Sequence, residues 1–172
     1  KGGFGDAFLI KYDSNGNYVW ANQGKAPNSS PLIRSVTVDM NGNIYSGGQF
    51  SDSLFFNNDT IYFNKNTPFT VKHDSSGTLQ WLKKFKEYTP GKGFFEEIEV
   101  NSNNEILAAG SFDDSIQIGS YFLKGSQSND GFVAKLNQNG KVQWADRIGV
   151  PNNSILGNVS FNGIGSNESF FT

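Results

Sequence analysis

The chain has 172 residues, a formal net charge of -2 and only 17% charged residues. This length gives one ordinary domain with a sizeable core, and the charge offers no basic surface for nucleic acid. No apolar run approaches the roughly 20 residues of a membrane helix. With no cysteine and one histidine, disulfides, thiolate sites and histidine metal clusters are excluded. We therefore expect no nucleic-acid partner, no membrane insertion, no cofactor, no metal site and no catalytic residue.

The first predicted element is a hairpin over residues 6–20, and it returns at residues 68–81 and 130–144. Its apolar and polar residues alternate on both sides of an Asp/Asn-x-x-Gly turn, which is typical of a half-buried β-hairpin. Phe8, Phe69 and Phe132 are spaced by 61 and 63 residues. Three further sets have the same spacing: Lys11, Lys72 and Lys135; Gly16, Gly77 and Gly140; and Trp20, Trp81 and Trp144.

A second kind of hairpin lies between these copies. Residues 36–50 return at residues 98–112, and a third copy begins at Val159 with a longer turn. Asn104 stands where the turn glycine is expected, and asparagine is the next best residue for left-handed geometry. Two hairpins in about 62 residues predict four strands, the content of one β-propeller blade.

Two inserted segments lengthen this repeat. Residues 53–63 and 115–123 each show a short apolar stretch on both sides of a turn, and we interpret each as an extra hairpin between the second and third strands of a blade. The predicted fold is therefore all-β: a partial β-propeller with repeats of about 62 residues, each a four-stranded blade with a hairpin insert.

The predicted organisation is a single propeller segment over residues 1–172. Residues 1–34 hold the outer hairpin of an incomplete blade, residues 35–95 and 96–154 hold two blades, and residues 155–172 start the next blade. A closed propeller needs about 4 to 8 blades. We therefore expect further blades of the same protein, or another surface protein, to protect the exposed edges.

The repeated residues resemble the bacterial SBBP β-propeller repeat family, whose units read roughly G-x-D-A-F-V-A-K-L-D-x-x-G-N-x-x-W. The matches are residues 5–13 with Gly16, Asn17 and Trp20, and residues 130–137 with Gly140 and Trp144. The middle copy departs, because Thr67-Pro68 replaces the Gly/Asp lead. The resemblance implies an exported or outer cell-surface protein of a bacterium, similar in composition to those of the Bacteroidota, and it says little about function.

Aromatic side chains of the two inserts are the candidate interaction surface, because projecting hairpins would expose them. These residues are Phe55, Phe56, Tyr62, Phe63, Tyr121 and Phe122. The inserts also carry three Asp-Ser/Thr-aliphatic matches that look like the O-glycosylation acceptor of exported Bacteroidota proteins. The predicted acceptor residues are Ser53, Thr60 and Ser115.

Other polar residues have structural explanations beside the functional ones. The turns at residues 13–17 and 39–43 partly match a calcium loop, but hairpin chemistry accounts for them. Glu96 and Glu97 form a carboxylate pair, yet adjacent strand residues point to opposite faces. His73 lies on the apolar face and is predicted to be partly buried, and the three tryptophans are predicted to pack between blades.

The predicted function is a non-catalytic extracellular scaffold or protein-interaction module, a fragment of a larger secreted or surface-attached propeller protein. The variable connections at residues 22–31 and 87–94 are where propellers usually place their binding loops. The alternative is a carbohydrate-binding propeller module that binds glycan through the insert aromatics. A third possibility is an enzyme whose catalytic residues lie in other blades.

Overall fold

The computed structural model describes residues 7–24, 31–50, 53–56, 59–62, 67–88, 93–125, 130–148, 159–161 and 169–171. Every regular element within these ranges is a β-strand, so the predicted all-β class is confirmed. In chain order the strands are β1 (Ala7–Tyr12), β2 (Tyr18–Gly24), β3 (Leu32–Val38), β4 (Ile44–Phe50), β5 (Ser53–Phe56), β6 (Asp59–Tyr62), β7 (Thr67–His73), β8 (Leu79–Lys84), β9 (Lys86–Glu87), β10 (Phe94–Val100), β11 (Ile106–Phe112), β12 (Ser115–Ile118), β13 (Tyr121–Lys124), β14 (Asp130–Leu136), β15 (Val142–Ile148), β16 (Val159–Phe161) and β17 (Ser169–Phe171).

Each of the five repeated hairpin turns within the described residues is built on one acidic or amide side chain. Asp13 Oδ1 accepts hydrogen bonds from the backbone N–H groups of Asn15 and Asn17, both at 2.8 Å. Gly16 follows with φ +81°, a conformation that costs little only without a Cβ. The same pair of backbone bonds recurs in four later turns, at Asp39, Asp74, Asn101 and Asn137. The turn chemistry thus fixes the register of each hairpin.

The hairpins assemble into two complete antiparallel sheets. The first four-stranded sheet has the order β3-β4-β7-β8, and the second four-stranded sheet has the order β10-β11-β14-β15. β1–β2 and β16–β17 form separate two-stranded sheets. We name β3–β4, β10–β11 and β16–β17 the leading hairpins, and β1–β2, β7–β8 and β14–β15 the tryptophan hairpins. Within the described ranges, these sheets do not form a closed ring.

Both inserts form the expected hairpins between the second and third strands of their sheets. β5 pairs with β6, and β12 pairs with β13. The second insert also gains β9, which pairs with the free edge of β12 to give a sheet of order β13-β12-β9.

The main core lies between the two four-stranded sheets. Phe95 and Phe132 are fully buried on the second sheet. Phe85, which directly follows β8 of the first sheet, lies against both rings at centroid distances of 6.5 and 5.6 Å. Gly47 makes room for this layer, because a Cβ there would overlap the Phe95 ring. Truncating either phenylalanine to alanine costs about 3–5 kcal/mol in cores of this kind. The two sheets therefore stack as one packed body.

Neighbouring repeats are also joined through the tryptophan hairpins. Trp20 Nε1 and Lys11 Nζ both donate to the Ser75 carbonyl in the next tryptophan hairpin, at 3.1 and 2.8 Å. One repeat later, Trp81 Nε1 and Lys72 Nζ donate to the equivalent carbonyl, that of Gln138, at 3.0 and 3.4 Å. The predicted packing of these tryptophans between neighbouring sheets is thus confirmed at both positions.

Candidate interaction site

The second insert presents one buried and one exposed face. Ile116 and Ile118 on β12, with Leu123 on β13, are buried in the main core. Because side chains alternate along a strand, the residues between them point outward. Gln117 pairs with Phe122 on one side and with Lys86 on the other. Lys86, Gln117 and Phe122 therefore form a row across the outer face of this sheet, and the buried residues of β12 and β13 hold its other face against the main core.

Tyr88 completes an exposed aromatic patch on this row. Its ring meets that of Phe122 edge to face at a centroid distance of 5.2 Å, and the Lys86 ammonium lies 4.9 Å from its centre. The Tyr88 hydroxyl donates to Gln117 Oε1 at 2.9 Å, and its backbone N–H donates to the Ser115 carbonyl at 3.2 Å. We name Lys86, Tyr88, Gln117 and Phe122 the aromatic patch.

The aromatic patch stays exposed although its backbone is ordered by strand pairing. Phe122 is 56% exposed and Tyr88 is 47% exposed. Such large exposed side chains on a sheet surface are typical of interaction sites when they occur together. The patch offers a cation, two ring faces and an amide, so it suits an amphipathic ligand surface.

Tyr121, which the sequence analysis placed on the interaction surface, points the other way. Its backbone pairs with the buried Ile118, its ring packs against the main core, and its hydroxyl donates to the Gln143 carbonyl. Tyr121 thus anchors the second insert to β15. Of the two predicted residues of this insert, only Phe122 lies in the aromatic patch.

The structure describes the other predicted site residues to different extents. Phe55, Phe56 and Tyr62 lie on β5 and β6, where the backbone is described and the side chains are not, and Phe63 lies outside the described residues. The same holds for the side chains of the proposed glycan acceptors Ser53 and Thr60 on these strands. The third acceptor, Ser115, is buried at the start of β12, so a sugar there would have to be attached before the strand packs. Glycosylation at all three positions stays a prediction.

The carboxylates of the repeated turns are engaged in local hydrogen bonds. The Asn17 side chain and backbone lower the pKa of Asp13, and the Ser76 hydroxyl, with backbone N–H groups, does the same for Asp74. Burial raises the pKa of Asp39, but its bonds from Asn43 and from the Tyr45 hydroxyl outweigh burial and leave the pKa lowered. Within the described ranges, no three His, Asp or Glu side chains group as metal ligands. The Asp13, Asp39 and Asp74 carboxylates accept hydrogen bonds from the backbone of their own turns, and these bonds support the hairpins.

In one turn of the second four-stranded sheet, the acidic residue and the amide residue have exchanged positions. Asn101 occupies the position of Asp39, and its Nδ2 donates to Glu105 Oε2 at 2.9 Å. Lys135 Nζ lies 2.8 Å from Glu105 Oε1. The Lys135 ammonium, with the Asn101 amide, lowers the pKa of the Glu105 carboxyl. The acid has thus moved from the first to the last residue of the turn, and the hydrogen bond between these two positions is kept.

His73 is buried more completely than the partial burial predicted from the sequence. It is 2% exposed, at the position of Tyr12 and Leu136 in the other tryptophan hairpins. Burial lowers the pKa of its imidazole, and the adjacent Asp74 carboxylate offsets part of the effect. The buried ring is therefore held in its neutral form near neutral pH.

No protein-family model matches the chain. The chain is 26% identical over 174 residues to an uncharacterized WD repeat-containing protein of Acanthamoeba polyphaga mimivirus. The match covers 89% of this chain and 12% of that protein, so the chain spans only a small part of the relative's length. Because WD repeats form four-stranded propeller blades, the similarity indicates a propeller-like fold. The part of the chain that the structure describes also has no helix long and apolar enough to cross a membrane.

Proposed function

We propose that this chain is a non-catalytic, propeller-type protein-interaction module and that the aromatic patch is its binding surface. The exposed edge-to-face pair of Tyr88 and Phe122 carries the proposal. The two four-stranded sheets correspond to successive propeller blades, and the similarity to a WD repeat protein supports this assignment. In this interpretation, β1–β2 and β16–β17 belong to incomplete blades on either side.

The chemistry of the patch favours a protein partner. Tyrosine, phenylalanine and other aromatic residues are enriched in the centres of protein interfaces, where a few anchors carry most of the binding energy. The patch is also rigid, because β9, β12 and β13 pair beneath it. A rigid aromatic anchor loses little side-chain entropy on binding.

A carbohydrate ligand is the second candidate, and one observation favours it. An aromatic ring beside a side-chain amide, as Phe122 is beside Gln117, offers a sugar both an apolar platform and a hydrogen-bond partner. The two rings stand at 80° to each other, so a flat sugar face can stack on only one of them. This geometry suits a single residue of a glycan rather than an extended chain.

The proposed setting is the outer surface of a bacterium, with the chain acting as part of a larger exported propeller. The resemblance of the Phe, Lys, Gly and Trp positions to SBBP repeats supports this setting. Sugars on Ser53, Thr60 or Ser115 belong to the same proposal. Intact-mass measurement of the protein from its native host tests it, because an unmodified mass would contradict O-glycosylation.

Three variants test the aromatic patch. Phe122→Ser and Tyr88→Ser each remove one ring, and Met40→Ser is the control, because Met40 is strongly exposed on a turn distant in sequence. In chemical cross-linking of host cell-surface extract followed by mass spectrometry, a specific partner should be retained by Met40→Ser and lost from both patch variants. The loss of an interface anchor costs at least about 2 kcal/mol, or about 30-fold in affinity.

A glycan array separates the two candidate ligands. Binding of a defined glycan that is lost in Phe122→Ser and kept in Met40→Ser would establish the carbohydrate function in place of the protein one. If the three variants retain the same partners and glycans as the parent chain, the aromatic patch is not the binding site.

A further inference from the structure

A pocket of about 520 Å³ lies where the first four-stranded sheet, the second insert and the tryptophan hairpin β14–β15 meet. Its walls come from residues 82–85 at the end of β8, from the turn between β12 and β13, and from residues 140–142 at the start of β15. Three lysines line it, Lys83, Lys84 and Lys141, and among the described residues no aspartate or glutamate does. We name this cavity the lysine pocket. Its volume is in the range of pockets that bind small ligands or single side chains.

Close packing of two turns fixes the walls of the lysine pocket. Gly119 has φ +63°, and a Cβ there would lie 2.8 Å from the Val142 side chain. Gly140 has φ +73°, and a Cβ there would lie 2.7 Å from Cε of Lys83. The Tyr121 hydroxyl also ties the second insert to β15 beside these contacts. The pocket is therefore built from packed backbone and does not depend on a ligand for its shape.

The packing of its aliphatic stem also positions the Lys83 ammonium. Cε is the atom that carries the ammonium, and it lies over Gly140, so the Lys83 charge lies beside the turn that carries Lys141. Within the described ranges, neither Lys83 nor Lys141 forms an ion pair. Two ammonium groups in a partly enclosed pocket without a carboxylate create a positive potential that attracts an anion.

Comparison between repeats shows that the hairpin packing does not require these charges. In the preceding repeat, Asn22 takes the position of Lys83. Its side-chain amide donates to the Gly77 carbonyl, so a neutral side chain makes the contact with the next turn. Thr78 takes the position of Lys141. The two lysines are therefore an addition to the repeated frame, and their ammonium groups are available to a ligand.

The lysine pocket adjoins the aromatic patch along two segments of the chain. Lys84 of the pocket is two residues before Lys86 of the patch, and Gln117 of the patch is two residues before Gly119 of the pocket. Two residues of a strand span about 7 Å. One segment of a partner can therefore contact the patch and reach the pocket.

We infer that the lysine pocket binds acidic side chains, those of aspartate or glutamate, on the protein partner of the aromatic patch. Lysine ammonium groups only donate hydrogen bonds, and a carboxylate only accepts them. A neutral sugar needs both donors and acceptors, but the Ser120 hydroxyl is the one polar side chain besides the lysines among the lining residues. Leu82 and Val142 add apolar surface, against which the methylene groups of a glutamate pack.

Titration of the isotope-labelled chain with a hexaglutamate peptide, blocked at both ends, tests the inference by nuclear magnetic resonance. In a low-salt buffer, the backbone amide signals of Gly119, Ser120 and Gly140 should shift as the peptide is added. The signal of Gly77, in the equivalent turn of the preceding repeat, should not shift. The inference rests on the proposed protein-interaction function, but this titration uses the peptide alone and needs no partner.

Charge-matched variants show whether the pocket itself binds the peptide. Lys83→Gln and Lys141→Gln each remove one charge and keep most of the side-chain stem. Lys124→Gln is the control, because Lys124 is exposed at the other end of the insert hairpin, opposite Ser115, and its loss changes the net charge equally. Each pocket variant should weaken peptide binding about 5-fold, the effect of one partly exposed ion pair, whereas Lys124→Gln should bind as the parent chain does.

Three results would overturn the inference. The first is that hexaglutamate at millimolar concentration shifts none of the pocket signals. The second is that Lys124→Gln weakens binding as much as Lys141→Gln, because the attraction is then not specific to the pocket. The third is that an oligogalacturonate of equal charge shifts the pocket signals at lower concentration than hexaglutamate, because the ligand is then an acidic glycan. Phe122→Ser should bind hexaglutamate as the parent chain does, so failure of the lysine pocket is distinguishable from failure of the aromatic patch.

Discussion

Replacing Gly77 by alanine tests the contact that joins neighbouring repeats. Gly77 has φ +89°, and a Cβ added there would lie 2.9–3.2 Å from three atoms of the Trp20 indole. Trp20 has little freedom to retreat, because its Nε1 donates to the Ser75 carbonyl at 3.1 Å. The added methyl group therefore has to displace either the indole or the turn.

The expected magnitude follows from comparison with Gly16, which has the same turn position and φ +81° but open space around its Cβ direction. Alanine in left-handed geometry costs about 1–2 kcal/mol, and this is the whole expected cost of Gly16→Ala. At Gly77 the overlap with Trp20 adds about 1–3 kcal/mol, the usual range for overpacking. Gly77→Ala should thus lower the free energy of unfolding by about 2–5 kcal/mol. The upper end of this range corresponds to separation of β1–β2 from the first four-stranded sheet.

Equilibrium urea unfolding measures the free energy of unfolding of both variants. A double-mutant cycle with Trp20→Ala isolates the overlap. In the Trp20→Ala background, Gly77→Ala should cost no more than Gly16→Ala. The reasoning would be refuted if Gly77→Ala and Gly16→Ala lowered the stability of the parent chain equally. It would also be refuted if Gly77→Ala still cost more than Gly16→Ala after Trp20→Ala had removed the indole.

Three further substitutions have expected outcomes. Because burial lowers the pKa of His73, the folded chain should lose stability as the pH falls below the ordinary histidine pKa of about 6.5. His73→Leu should abolish that loss of stability, which is measured from the midpoints of urea unfolding at several pH values. Asn101→Asp places a carboxylate against Glu105 and should cost about 1–3 kcal/mol at neutral pH, and thermal melts should show the cost shrinking in acid as the pair takes up a proton. Tyr45→Phe removes the donor to Asp39 Oδ2 at 3.1 Å and should cost about 1 kcal/mol; it also raises the folded pKa of Asp39, so acid unfolding should begin at higher pH.

The hairpins were predictable because their determinants are local. Asp13, two asparagine backbone N–H groups and Gly16 lie within five consecutive residues, and alternation around them sets which residues share a face. The 61- to 63-residue spacing then predicted which hairpins are equivalent. What the spacing cannot give is the partner of each tryptophan. That Trp20 donates to a carbonyl 55 residues away depends on how successive sheets stack.

The inserts show where local pattern fails. A strand's alternation divides its residues into two faces without indicating which face is buried, and a shift of one residue exchanges them. Tyr121 and Phe122 were both predicted to be exposed, yet adjacent strand residues cannot share a face, and Tyr121 is the one that anchors the insert. Tyr88 was missed because β9 has only two residues, too few to show alternation. The only sequence signal was its place in the variable connection at residues 87–94, after the second tryptophan hairpin.

Comparison between repeats separates two kinds of exposed apolar residue. Phe8 and Val36 are exposed, but Phe69 and Ile98 show that the same positions become buried once a neighbouring hairpin is in place. Phe8 and Val36 therefore occupy positions at which successive repeats pack against each other. Phe122 lies on an insert outside the repeated frame, and the neighbours that bury Ile98 do not cover it. A further hairpin of the same type would bury Phe8 and Val36 and would leave Phe122 exposed. The aromatic patch should therefore stay available to a different partner in the assembled protein.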